Sequence, residues 1–296
     1  MESSGDIANP NPSTPARVAV VTDTTTYMPP ELLEGLGVET VSLYVGWDGD
    51  LRPEHEYTDL DAFYTRLAES EKLPTTSQPS RGDFEAVFEP IVASGRDVVS
   101  IHIASGLSGT LESAQEAAKT LAERGHPGTI HALDGETGAG GLGCLVLTAA
   151  RAAAEGADAQ AVLEAVAHAQ ERLEIWFCLD TLKYLRKGGR IGAAQAMVGE
   201  ALQVKPILTF GTEIAPVGRV RTNRRALARM EEYLKRLHEN GAKDWIVQHA
   251  QSADDAAHLV EYGRSVFGSD PAFCTEVGPV LGAHLGRGML VGGVAG

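Results

Sequence analysis

The sequence has few cysteines, no long apolar run and too little positive charge, and each of these excludes a class of protein. Its 296 residues contain three cysteines, Cys144, Cys178 and Cys274. An odd number of widely spaced cysteines argues against a disulfide framework and against a zinc site. No apolar run approaches the roughly 18 residues that a membrane span requires. The formal charge of −15 disfavours binding to nucleic acid or to an anionic lipid surface.

The amino terminus also lacks a targeting signal. The opening residues, MESSGDIANPNPSTPA, have neither the basic start nor the apolar stretch of a signal peptide. Their Pro, Ser and Asn content is typical of disorder, so we predict a disordered tail over residues 1–16. We expect the protein to be cytoplasmic.

The remaining chain alternates short β-branched runs with helical stretches of 10–15 residues. Strand-like runs such as RVAVVTD, GVETVSLYV, DVVSIHIA and GTIHALD are separated by helical patterns at residues 60–67, 83–93 and 111–123. This alternation predicts an α/β fold with a mostly parallel sheet in the N-terminal region. From the length we predict two α/β domains, over residues 17–155 and 156–296, with a ligand site in the cleft between them.

Acidic residues are missing from four loop-like stretches, although about one residue in seven of the chain is Asp or Glu. The four stretches are residues 73–82, 104–111, 181–199 and 277–296. Hydroxyl side chains, glycines and a few cations occupy them instead. Such a pattern predicts one convergent anion site inside an acidic protein.

Two of these stretches are rich in hydroxyl groups. The segment LPTTSQPSRGDF carries Thr76 and Ser77 between two prolines, ahead of a helix that Ser80 would cap. The turn IASGLSGT follows a strand and carries Ser105, Ser108 and Gly109. A glycine-containing turn at a helix start, with hydroxyl donors, suits a carboxylate or a phosphate. An ordinary helix cap in a flexible turn is the structural alternative.

The other two stretches supply a cation and a histidine. In LKYLRKGGRIG a short basic helix ends at two glycines, and Arg190 follows at a sharp turn. A helix whose terminal cations complement its dipole would explain the earlier cations better than it explains Arg190. In GPVLGAHLGRG four glycines surround His284, which is either a structural residue or a ligand contact.

In their order along the chain, the segments TDTTTYMP, PTTSQPS, IASGLSGT, LRKGGRIG, KPIL and GPVLGAHLGRG resemble the DegV family of bacterial fatty-acid-binding proteins. The resemblance runs from about residue 18 to residue 293. It implies two α/β domains that bury a long-chain fatty acid, with its carboxylate at the domain junction. It also implies a lipid-binding role in phospholipid metabolism, in which some members present the carboxylate to a separate ATP-using fatty acid kinase subunit.

The same resemblance assigns residues to the predicted site. Thr76 and Ser108 would donate hydrogen bonds to the carboxylate, and Arg190 and His284 would complete or orient that network. Ser77, Ser105 and Gly109 complete the set of ligand-binding residues that we predict. We expect no catalytic residue, no metal and no cofactor other than the bound fatty acid, and we expect a binding protein rather than an enzyme.

The energetics of a fatty acid site are favourable only if the head group is paired. Burying ~15 methylenes at about 0.8 kcal/mol each yields roughly 12 kcal/mol, of which association and ordering remove about half or more. An isolated buried carboxylate costs far more than the remainder, so charge-assisted hydrogen bonds are required. The Gly- and Ala-rich helix at residues 138–154 is a candidate wall for the tail, and close helix-on-sheet packing is the alternative.

Three other functions are alternatives to fatty acid binding. Ser108, His284 and an acid such as Asp23 or Asp134 would make a serine-dependent acyl hydrolase, although the G-x-S-x-G elbow is absent. GAGGLG at residues 138–143 matches a dinucleotide-binding pattern, but it follows a late strand. A self-contained kinase lacks support because no G-x-x-x-x-G-K-[ST] motif is present.

Overall fold

A computed structural model describes residues 16–198 and 204–296. The predicted disordered tail, apart from Ala16, lies outside the described residues, as does residue 199 of the third acid-free stretch. No described helix combines the length and the apolar content that crossing a membrane requires.

The strands of the described part alternate with the helices along most of the chain. The strands are β1 Val18–Asp23, β2 Val38–Val41, β3 Tyr44–Trp47, β4 Asp50–Pro53, β5 Thr75–Ser77, β6 Asp97–His102, β7 Ile130–Asp134, β8 Leu173–Leu179, β9 Lys205–Thr209, β10 Ala215–Val220, β11 Trp245–Ala250, β12 Phe273–Glu276 and β13 Gly288–Val294.

The helices are α1 Pro30–Leu36, α2 Leu60–Glu69, α3 Arg81–Ala93, α4 Thr110–Glu123, α5 Gly140–Ala154, α6 Ala159–Glu171, α7 Lys183–Lys187, α8 Asn223–Glu239, α9 Ala253–Phe267 and α10 Pro279–Leu285. Side chains cap several of them. Ser80 and Asp83 form a reciprocal capping box at the start of α3, which confirms the predicted role of Ser80.

The strands form three sheets. The first has the order β2-β1-β6-β7, and its strands are parallel. The second is mostly antiparallel and has the order β10-β9-β8-β13-β11-β12, while β4, β3 and β5 make a small antiparallel sheet. The prediction of an α/β fold with a parallel N-terminal sheet is confirmed.

One predicted strand was wrong. The run GVETVSLYV forms two strands, β2 and β3, which belong to different sheets. The chain leaves the parallel sheet at Ser42 and Leu43, where the backbone N–H of Glu54 donates to the Leu43 carbonyl and to the Ser42 hydroxyl. These partners lie more than ten residues away, so the apolar pattern alone could not show the break.

Helix α5 lies between the two large sheets. It contacts β1 and β6 on one side and β8, β11 and β13 on the other, and eleven of its fifteen residues are buried. The main core cluster therefore includes residues from both halves of the chain, such as Val20, Leu145, Phe177 and Leu290. The boundary between residues 155 and 156 stays a prediction.

The glycines of α5 serve close packing. A Cβ on Gly143 would lie 2.8 Å from the Phe273 ring, and one on Gly141 would lie 2.9 Å from Ile175. Since side chains of the C-terminal sheet occupy this space, no dinucleotide fits there. The packing alternative of the sequence analysis is the one observed.

We expect Gly143→Ala to lower the free energy of unfolding by about 1–3 kcal/mol, because the added methyl group overpacks the contact with Phe273. Gly35→Ala in α1 is the matched control, since no atom lies within 4 Å of the new methyl group. Because alanine is the better helix former, this control should gain up to about 1 kcal/mol. Urea denaturation of both variants measures the difference, and equal effects would contradict the packing account.

Candidate ligand-binding site

A cavity of about 220 Å³ lies where the small sheet, the loops after β6 and β8, and helix α10 meet. Sixteen side chains and backbone segments line it: Leu43, Thr76, Ser77, Gln78, Ile103, Leu107, Ser108, Gly109, Leu185, Arg190, Phe210, Ile214, Val280, Leu281, His284 and Leu285.

The four acid-free stretches all contribute to this cavity. Twelve of the sixteen lining residues come from them, and no Asp or Glu lines the cavity. The predicted convergence of the four stretches is therefore present in the structure. That the cavity binds a carboxylate stays a prediction.

The lining changes from polar to apolar with depth. Arg190 and Gln78 are exposed, and Thr76, Ser77, Ser108 and His284 are half-buried. The aliphatic side chains of Leu43, Ile103, Leu185, Ile214, Val280, Leu281 and Leu285 are buried. The cavity thus offers hydrogen-bond donors near its mouth and hydrocarbon further in.

Thr76 is held by the small sheet. Strand β5 pairs with β3, so that Thr76 lies opposite Val45. The Thr76 hydroxyl oxygen is 2.9 Å from Nε2 of His284. Residues separated by 208 positions in the chain therefore meet in one hydrogen bond.

Ser108 lies in the turn between β6 and α4. The Ala104 carbonyl accepts from the backbone N–H groups of Leu107 and Ser108, and the Ser108 hydroxyl is 2.9 Å from the Thr110 hydroxyl. Ser105 lies on the same turn but is exposed and lines no part of the cavity; its backbone N–H donates to Asp134. The structure does not place Ser105 among the residues that line the cavity, and its role as a ligand contact stays a prediction.

A buried polar network fixes the start of this turn. Asp23 accepts from the backbone N–H of Ile103 at 3.0 Å, and Nδ1 of His102 lies 3.1 Å from the same carboxylate. The other ring nitrogen of His102 is 2.6 Å from the Ser100 hydroxyl. Asp23, His102 and Ser100 are fully buried, so this chain of hydrogen bonds anchors the backbone and has no access to a ligand.

Arg190 follows the left-handed Gly189 at the end of α7. Its guanidinium donates to the Gly188 carbonyl at 2.8 Å and to the Leu107 carbonyl at 3.3 Å. These bonds join the turn after α7 to the Ser108 turn. Arg190 is the only cation among the lining residues of the described chain, because His284 is neutral near pH 7.

His284 is neutral because of its surroundings. Burial lowers the pKa of its imidazole to about 4, and the positive charge of Arg190 acts in the same direction. Its Nδ1 packs against Gly188, where a Cβ would overlap the ring. Among the described residues, no group forms a hydrogen bond with this nitrogen. The hydrogen bond that the ring forms is therefore the one between Nε2 and Thr76.

The hydrolase arrangement is not assembled. Nε2 of His284 bonds to Thr76, the Ser108 hydroxyl bonds to Thr110, and neither Asp23 nor Asp134 bonds to His284. A serine hydrolase needs the serine–histidine–acid chain of hydrogen bonds. No group of three or more potential metal ligands occurs in residues 16–198 and 204–296.

Several lining residues escaped the sequence analysis. Gln78 donates to the Ser113 hydroxyl at 3.1 Å and packs against Gly109, where a Cβ would overlap its amide group. It therefore ties the end of β5 to α4. The sequence did offer one signal for Gln78, because it lies in TTSQPS between Ser77 and Ser80. The sequence offered no such signal for Leu43 and Phe210, because they lie in ordinary apolar runs.

A family model described as "Uncharacterised protein, DegV family" matches residues 17–294. The chain belongs to the DegV family. A DegV domain-containing protein of Streptomyces coelicolor is 39% identical over 280 residues, which cover 92% of this chain and 96% of that relative. The resemblance found in the motifs is confirmed.

Solved structures of the DegV family share the fold. The structure of DegV from Bacillus subtilis, a fatty acid binding protein, superposes with a TM-score of 0.84 at 30% identity and covers 94% of this chain and 99% of that chain. A fatty-acid-binding DegV family protein from Thermus thermophilus superposes with a TM-score of 0.82 at 30% identity, with the same coverage.

We expect no esterase activity from the purified protein. Because His284 is engaged with Thr76 and no acid orients it, a chromogenic acyl ester should be turned over at the buffer rate. The Ser108→Ala variant should give the same rate. Turnover above buffer that disappears in this variant would contradict the reading of the site.

The His284 imidazole should remain neutral down to about pH 5 in the folded protein. Its lowered pKa means that the unfolded chain takes up this proton first, so the contribution to stability is present above pH 6.5 and is lost as the pH falls towards 4. NMR titration of the imidazole measures the pKa, with the signal assigned by its loss in His284→Asn. A signal that titrates at 6.5 would contradict the burial argument.

Proposed function

We propose that the protein binds a long-chain fatty acid, with the carboxylate at Thr76 and Ser108 and the hydrocarbon tail along the buried aliphatic wall. The single observation that carries this proposal is the order of the lining: hydroxyl groups and one guanidinium near the surface, and only apolar side chains further in. An amphiphile with one acidic end matches that order.

The hydrogen bond between Thr76 and His284 gives the carboxylate its donor. In the tautomer that we propose, the neutral imidazole carries its proton on Nε2 and donates to the Thr76 hydroxyl oxygen, 2.9 Å away. The hydroxyl proton is then free for the ligand. Arg190 adds positive charge at the mouth, and hydrogen bonds to an ionised group are about twice as strong as neutral ones. His284 therefore acts through Thr76.

The tail would follow the aliphatic side chains of α10. Leu285 also lines a smaller void of about 20 Å³, together with apolar side chains such as Phe177, Met289 and Leu290. A tail too long for the first cavity would displace Leu285 towards this void. Helix α5 does not line the cavity, so we do not place the tail against its glycines and alanines.

We further propose that the protein presents the carboxylate to a separate kinase subunit, which forms the acyl phosphate. The support is chemical: the hydroxyl end of the cavity lies at the surface beside exposed Arg190, and the sequence has no phosphate-binding loop of its own. Structures of DegV relatives that bind fatty acids support the ligand class. Formation of an acyl phosphate from ATP by this chain alone would contradict the proposal.

The test is fatty acid binding by a double variant. Thr76→Ala with Ser108→Ala should weaken the affinity for oleate at least tenfold, because the buried carboxylate loses two donors at about 1.5–3 kcal/mol for each charge-assisted bond. Displacement of a fluorescent fatty acid measures the affinity, and mass spectrometry identifies any lipid that co-purifies.

Ser105→Ala is the matched control. It removes a hydroxyl group from the same turn as Ser108 but outside the cavity, so the affinity should stay within about twofold of the wild type. Unchanged binding in the double variant, or an equal loss in the control, would refute the assignment of the site.

A further inference from the structure

Glu54 is a buried carboxylate without a cationic partner. Its side chain is 4% exposed, and no Lys, Arg or His of the described residues forms an ion pair with it. Removing a charge from water without a counter-ion is costly, so such a group persists only where hydrogen bonds compensate it. Its partners therefore show what it is used for.

Three donors surround the carboxylate. The Thr24 hydroxyl donates to Oε2 at 2.7 Å, while the Tyr27 hydroxyl and the backbone N–H of Val280 donate to Oε1 at 2.8 and 2.7 Å. The first two come from the segment after β1. The third comes from the first turn of α10, which is 226 residues away in the chain.

Glu54 and Tyr27 together cap helix α10. The residue at its N-cap, Gly278, has no side chain to accept a hydrogen bond. The N–H of Val280 reaches Glu54 instead, and the N–H of Leu281 donates to the Tyr27 hydroxyl oxygen at 3.0 Å. Two of the free N–H groups at the start of the helix are thus satisfied by side chains from the opposite half of the chain.

The capped helix carries His284 close to its other end. Helix α10 has seven residues, which is too short to be stable without tertiary contacts. Val280 and His284 are four residues apart, and at 1.5 Å per residue the rise between them is about 6 Å. A change in the tilt of the capped end would therefore move the imidazole relative to Thr76.

A second tyrosine seats the same helix. The Tyr64 hydroxyl donates to the Val277 carbonyl at 2.8 Å, and Tyr64 packs so closely on Gly282 that a Cβ there would overlap its hydroxyl group. The side chains that orient α10 therefore come from residues 24–64. In contrast, two of the predicted ligand contacts, His284 on α10 and Arg190 after α7, come from the other half.

We propose that Glu54 is a positioning residue for the ligand site: with Tyr27, it holds helix α10 in the orientation in which the His284 imidazole meets the Thr76 hydroxyl. The inference rests on the proposed function only where it concerns the affinity for a fatty acid. The effect of Glu54 on the position of the His284 imidazole can be measured without a ligand.

Near neutral pH, Glu54 is close to the midpoint between its neutral and its ionised form. Burial raises the pKa of its carboxyl group to about 7, against the lowering effect of the donors from Thr24, Val280 and Tyr27. Asp23 acts in the same direction as burial. A glutamine keeps an oxygen for Val280 and Tyr27, so it should preserve the cap without the charge.

The experiment compares four variants with the wild type. Glu54→Ala removes the cap, Tyr27→Phe removes the acceptor of the Leu281 N–H, and Glu54→Gln conserves the cap. Met230→Ala is the control for general destabilisation, because Met230 lies in the second core cluster and lines no part of the cavity. All are measured under conditions in which urea titration shows them folded.

The first readout is the His284 imidazole in the ligand-free protein, followed by NMR. In Glu54→Ala and Tyr27→Phe its pKa should rise by at least one unit from about 4, because the ring is no longer held in its buried place beside Thr76. Arg190 is the charged group that faces the ring in every variant. Glu54→Gln and Met230→Ala should leave the pKa within about 0.3 of the wild type.

The second readout is the affinity for oleate. We expect a loss of at least tenfold in Glu54→Ala, a smaller loss in Tyr27→Phe, and values within about threefold of the wild type in Glu54→Gln and Met230→Ala. The proposal would be overturned if the pKa of the His284 imidazole in Tyr27→Phe and Glu54→Ala equalled that of the wild type. It would also be overturned if Glu54→Gln raised this pKa as much as Glu54→Ala does. If Glu54→Ala does not fold, the comparison of Tyr27→Phe with Glu54→Gln tests the proposal instead. A wild type without affinity for oleate would refute the proposed function, while the imidazole data would still decide the positioning role.

Discussion

The site depends on one contact, the hydrogen bond between Thr76 and His284. It joins the last strand of a small N-terminal sheet to a short helix near the end of the chain. Each partner has its own support, since β3 fixes the strand while Glu54, Tyr27 and Tyr64 fix the helix. In the proposed tautomer the Thr76 hydroxyl accepts from the imidazole, which leaves its own proton for an oxygen atom of a ligand.

The pKa values of two buried groups, one near each end of α10, are shifted in opposite directions. At one end, a buried carboxyl group with a raised pKa faces the helix start; its contribution to stability is present below pH 4.5 and is lost as the pH rises through about 7. At the other end, the lowered pKa of His284 removes stability as the pH falls. The two effects oppose each other between about pH 4.5 and 6.5. The lining has the positive charge of Arg190 but no acidic residue, so a ligand carboxylate would supply the missing negative charge.

Local patterns in the sequence predicted much of this. Three features depend on residues close together in the chain: the capping box at Ser80, the glycine-containing turn at Ser108 and the alternation of strands with helices. The absence of acids from four loops indicated which segments would converge. The break between β2 and β3, the exposed position of Ser105 and the roles of Gln78 and Glu54 depend on contacts across the whole chain. No periodicity encodes such contacts. The acid in PEHEY, at Glu54, reads as a surface residue until its three donors are seen.

Helix α5 has a consequence for how this molecule can be divided. It presents buried faces to both large sheets, so a cut after it would leave either half with a hydrophobic surface open to water. Fragments made at residue 155 should associate or aggregate rather than behave as independent modules. The intact chain should then melt in a single transition in which both large sheets are lost together, although one is parallel and the other is mostly antiparallel.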